Sequence, residues 1–181
     1  MNRLLKRLPD RQSIIGVYAT AVFVIYGWTL LRSFWKVPSW SFFLSIGEIL
    51  SVYAYAFVVA FLESMLVLSI LLLIGFVLPS RWWNDRFTSM GVIWLVVIEG
   101  SVMLRLYTNR APEFWESFLN AQASWWTYTV LLALALTLLA VFVKPFQRGL
   151  ELIADRFVVF LYLYMPLTVL SFLVVVLRNI L

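Results

Sequence analysis

The chain has 181 residues, 64% of them hydrophobic and 13% charged, with a net charge of +5. An ordinary soluble domain is roughly 45–50% apolar and about 25% charged, and a core of this size could not hide the surplus. Cysteine and histidine are both absent, which excludes disulfides, thiol nucleophiles, Ser-His-Asp catalysis and the usual zinc, copper and haem ligand sets.

The sequence contains no GxGxxG, GxxxxGK[ST] or HExxH motif, so nucleotide chemistry and zincin-type hydrolysis have no foothold. No cofactor is expected. The mean hydropathy is +0.95. The cations sit at the ends of apolar runs, where they suit anionic headgroups and fix orientation rather than bind nucleic acid. The basic N-terminus, Met1 to Gln12, precedes an apolar run longer than a signal-peptide core, and no A-x-A-like site closes that run. The expected class is therefore all-α, a polytopic transmembrane helical bundle forming a single integral membrane domain over 1–181.

A helix needs about 20 apolar residues to cross a hydrocarbon core about 30 Å thick. The first run, 13–35, has no charge before Arg32, and Trp28, Trp35 and Trp40 mark its far interface. The next stretch, Trp40 to Pro79, would be about 60 Å long as one helix, too long for a single span. A hairpin there needs a turn, yet the centre around Glu63 has no Gly, Pro or Asn. The reading is therefore an interfacial helix over Ser39–Leu50, followed by one tilted span over 51–78, with a hairpin as the alternative.

Three further spans follow, at 90–107, 125–143 and 157–177, the last with Pro166 in its middle. The connection Thr108–Ser124 reads as an amphipathic surface helix, with Phe114, Trp115, Phe118 and Leu119 on one stripe. The segment Lys144–Arg156 reads as interfacial too. Small residues recur at close-packing spacing: Gly16 and Thr20, Ala56 and Ala60, then Thr129, Ala133, Thr137 and Ala140.

Two midspan acids carry the strongest functional suggestion. Glu63 and Glu99 each fall near the middle of a span, where a carboxyl group is costly and usually faces protein, water or a partner. The expectation is that both point into the bundle. If they meet, one holds a proton or the two share a cation. The plainer reading is hydrogen bonding to Ser64, Ser101, Thr129, Thr137, Tyr162 or Tyr164 on other helices. Arg32 and Arg105, near the outer interface, are candidate lipid-headgroup contacts or partners for Glu48, Glu113 or Glu116.

The functional expectation is a non-enzymatic membrane subunit, scaffold or lipid-contacting accessory. It would work with membrane lipids and a protein partner or further copies of itself, without nucleic acid. The alternative is a small proton or cation transporter using Glu63 and Glu99; a lipid-modifying enzyme ranks third.

With five spans and the N-terminus cytoplasmic, the inner flanks carry Arg3, Lys6, Arg7, Arg11, Arg81, Arg86, Lys144, Arg148 and Arg156. The outer flanks carry Arg32, Lys36, Arg105, Arg110 and Arg178. Basic residues favour the cytoplasmic side. Alkaline phosphatase fused after Leu181 is expected to be active and green fluorescent protein at the same point dark; the reverse result would refute the five-span, N-inside arrangement.

Overall fold

The computed structural model describes residues 9–77, 86–108 and 115–180, with the side chains of 76–77 and 115–122 left aside. Five helices follow one another: α1 Arg11–Trp40, α2 Ile46–Val77, α3 Phe87–Thr108, α4 Trp115–Phe142 and α5 Lys144–Ile180. All five are long and apolar enough to cross a membrane. A helix satisfies its own backbone hydrogen bonds, which is why an apolar chain in lipid takes this form.

The long apolar stretch after Trp40 forms one helix through Glu63, not a hairpin. The expected interfacial helix over Ser39–Leu50 is absent. α1 instead runs on through Pro38, which lies in its last turn, where a proline removes only one helical hydrogen bond. The chain then turns over 41–45, with the Leu44 amide donating to the Trp40 carbonyl at 2.7 Å. A capping box starts α2 at once: the Ser45 amide and hydroxyl both donate to the Glu48 carboxylate at 2.8 Å. This Ser-x-x-Glu signature is what moves the break from residue 50 to the 41–45 turn.

Two other boundaries differ from expectation. The surface helix expected within 108–124 is not separate, because α4 continues unbroken from Trp115. Neither Gly nor Pro occurs between Pro112 and Val143 to interrupt it. The expected contacts of Phe114, Trp115 and Phe118 lie outside the described side chains. The segment Lys144–Arg156 forms the first turns of α5. Pro145 cannot donate to the Val141 carbonyl, so α4 ends there, while a proline suits the first turn of the next helix. α5 runs through Pro166 without a break.

The helices gather around α1. It packs against α2, α3 and α5; α5 also packs against α2 and α3; α4 leans on α3 and, more lightly, on α5. One core cluster joins Val17 and Ala21 of α1 to Leu71 of α2 and to Phe87, Met90 and Leu95 of α3. The other joins Val22, Ile25 and Tyr26 to Phe57 and Ala60 of α2 and to Tyr164 of α5.

Close approach depends on small residues, as in membrane interfaces generally. A Cβ at Gly16 would lie 3.4 Å from that of Ala154 on α5. At Gly91 it would lie 2.8 Å from a methyl of Val17, a stiff and fully buried side chain. The small stripe of α4 also packs inward, with Thr129, Ala133 and Ala140 buried. Gly91→Leu should therefore force α1 and α3 apart and cost about 1–3 kcal/mol. Gly27→Ala, with nothing within 4 Å, should leave stability unchanged or slightly raised. Thermal unfolding of both variants in detergent checks the contrast.

Candidate functional site

Among the described residues, four polar settings bear on function. The first is fully buried. The Tyr26 hydroxyl on α1 bonds Thr168 on α5 at 2.6 Å. Thr168 itself donates to the Tyr164 carbonyl at 2.8 Å, so Tyr26 is the donor to Thr168. The Tyr26 ring packs between Phe57 and Tyr164, with ring centroids at 5.6 and 4.8 Å. This arrangement is satisfied and closed, and it serves cohesion. Nearby, the Tyr18 hydroxyl is buried with no hydrogen-bond partner among the described residues.

The second setting is the seam between α3 and α4. Trp125 donates its indole N–H to the Ser101 hydroxyl at 2.6 Å, and Ser101 bonds Thr129 at 2.7 Å. Thr129 uses its own proton on the Trp125 carbonyl, so Ser101 donates to Thr129. Arg105 lies over the Trp125 ring, 5.7 Å from its centroid. Beside this network is a groove of about 460 Å³ whose wall is mostly apolar, including Val96, Leu104, Tyr128 and Leu132.

The third setting is the far end of α1. Arg32 and Lys36 share a smaller groove of about 210 Å³ with Trp28, Leu31, Trp35 and Tyr107. The Arg32 guanidinium lies 5.5 Å from the Trp28 ring centroid. Arg32 and Arg105, alike in sequence, thus stand in different places: one in a groove beside α1, the other within the α3–α4 seam. Glu48, a possible partner for either, is committed to Ser45 and lies near Arg178.

The fourth setting holds the midspan acids, and here the expectation needs correction. Glu63 does not point into the bundle. It is exposed on the outer face of α2, in line with Val59 and Leu66, each 59% exposed. The inward face of that turn belongs to Ala60 and Ser64, which are small enough to let α2 approach α1. A glutamate has no room there, and one position along the helix it swings outward.

Glu99 on α3 is half-buried. α2 and α3 form no substantial direct interface. The two carboxyl groups nevertheless come close enough to feel each other's charge. Neither makes a hydrogen bond or ion pair with another described residue. The expected serine and threonine partners are occupied elsewhere: Ser64 with the Phe61 carbonyl, Thr137 with that of Ala133, Thr129 with that of Trp125, and Ser101 with Thr129. Among the described residues no group of three or more acidic side chains could hold a metal ion.

No family matches the sequence, and neither a curated protein nor a solved structure matches it.

The α3–α4 network yields a direct test. Ser101→Ala removes the acceptor of the Trp125 indole and the donor to Thr129, and should lower stability by roughly 1 kcal/mol. Ser69→Ala, which removes only an exposed local bond to the Met65 carbonyl, should change nothing measurable. Thermal unfolding of the two variants side by side reads the difference.

Proposed function

We propose that this protein is a multi-pass, non-enzymatic membrane subunit, N-terminus cytoplasmic and C-terminus outside, whose α2 face is covered by a partner. Glu63 is the observation that supports this reading. It is a carboxyl group near the middle of the 32-residue helix α2, and it faces outward with no polar partner among the described residues. Meeting hydrocarbon unpaired, such a group costs several kcal/mol even when protonated. A partner that brings a hydrogen-bond donor or a cation to that depth removes the penalty.

Glu99 strengthens the case. It adds a second acid near the first, while α2 carries no lysine or arginine and α3 carries only Arg105, in its last turn. Charge complementarity therefore favours a partner helix carrying a basic or amide side chain at midspan. The neighbouring exposed residues, Leu62, Leu66 and Ile70, would supply the apolar surround that shields such a contact.

One observation favours a second reading. Two interacting midspan carboxyls are what a proton or cation relay requires. With Glu63 on the rim, such a relay would run along the interface with the partner rather than through the centre of this bundle.

The absence of native cysteine makes the test clean. A single cysteine at Leu66, crosslinked in native membranes, is expected to give a discrete heavier adduct. A cysteine at Leu138, exposed on α4, is expected to give none. Glu63→Leu should reduce the Leu66 adduct several-fold while the protein stays folded. Equal crosslinking at both positions, or none at Leu66, would overturn the proposal. Proteoliposome flux abolished by both Glu63→Gln and Glu99→Gln would instead favour the relay.

A further inference from the structure

We propose that the groove formed by α1 and the end of α3 binds the phosphate of an anionic membrane lipid. The sequence order of α1 builds it. Trp28, Arg32 and Lys36 are four residues apart, so they stand above one another on one face of the helix. Leu31 and Trp35 flank that face, and Tyr107 closes the groove from α3.

The two cations have nothing of their own to neutralise. Neither Arg32 nor Lys36 forms an ion pair with a described residue, and no acid lines the groove. α1 contains no Asp or Glu at all. The acid of α3, Glu99, sits two turns below Tyr107. Glu48 is held by Ser45 at the start of α2. Adjacent like charges at this spacing repel, and a phosphate placed between them reverses the sign of that interaction.

Simple snorkelling describes Arg32 poorly. A snorkelling arginine extends toward water, away from the membrane centre. Arg32 instead lies against Trp28, one turn nearer the middle of α1. The aromatic face holds the guanidinium and leaves its N–H groups available for the forked contact that suits a phosphate. Lys36, one turn further out, adds a mobile point charge.

The walls point to a lipid rather than a soluble anion. Leu31, Trp35 and Tyr107 are 53%, 78% and 71% exposed, an apolar and amphipathic rim of the kind that sits at headgroup level. A groove of about 210 Å³ has room for a phosphate and the polar linkage beside it, with the acyl chains running down the outside of the bundle. Basic grooves between membrane helices recognise anionic headgroups on this principle.

The test uses the full chain, purified in mild detergent and offered phosphatidylglycerol or phosphatidylcholine, with bound lipid read by native mass spectrometry. The parent protein is expected to prefer phosphatidylglycerol, and Arg32→Gln with Lys36→Gln should weaken that binding about tenfold. Arg178→Gln, an exposed cation outside the groove, should leave it unchanged. If the double variant fails to fold, the exposed Lys36→Gln alone should still give about a threefold loss. Millimolar glycerol phosphate separates the two sources of phosphate. Failure to displace the lipid supports a membrane ligand, and full displacement would overturn the lipid assignment. Equal binding of both lipids, or an equal loss in Arg178→Gln, would overturn the site itself.

Discussion

The bundle depends on how closely other helices can approach α1. Gly16 lets Ala154 of α5 come to within van der Waals range, and Gly91 of α3 leaves space that the methyls of Val17 fill. Without a hydrophobic drive between helices in lipid, such contacts and a few interhelical hydrogen bonds supply most of the cohesion. The Tyr26–Thr168 bond then ties α1 to α5 at a depth where the Tyr26 ring is fully enclosed. α2 and α3 are both placed by their contacts with α1, and α4 is placed chiefly by α3.

That same packing sets the polar character of the outer faces. Because Ala60 and Ser64 occupy the contact with α1, Glu63 falls outside. Because Gly91 and Leu95 face inward on α3, Glu99 sits one turn further along at the edge of the contact. Two acids that a purely internal role would have buried are thereby brought to the rim. The serine and threonine hydroxyls that could have bonded them are used within their own helices or across the α3–α4 seam. The structure thus separates cohesion, carried by tyrosine, serine and threonine, from the acids, which remain unmatched.

The cations divide in a parallel way. Arg105 is drawn over Trp125 into a seam already held by Ser101 and Thr129. Arg32 shares its groove with Lys36 and no acid. Lys36 and Tyr107 were not singled out by reading the chain, since an isolated lysine near a span end signals only an interface. The repeat Trp28, Arg32, Lys36 was visible as spacing, but its meaning depends on Tyr107 arriving from a helix some 70 residues away.

By itself, the amino-acid order determined that the chain forms five long apolar helices and that Glu63 lies within one of them. These are local properties, set by hydrophobic run length and by the absence of turn residues around position 63. Two boundaries placed elsewhere by hydrophobic run length carry a local signal: the Ser45–Glu48 capping box and Pro145 both mark helix starts by rules that act within one turn. Tertiary structure alone decided which side of each helix faces a neighbour. A helix hydrophobic on all sides has no amphipathic stripe to fix its rotation, and both α2 and α3 are of that kind. Their rotation is set instead by where small residues permit contact with α1, and that is what turned Glu63 outward and set Arg105 against Trp125 in the α3–α4 seam.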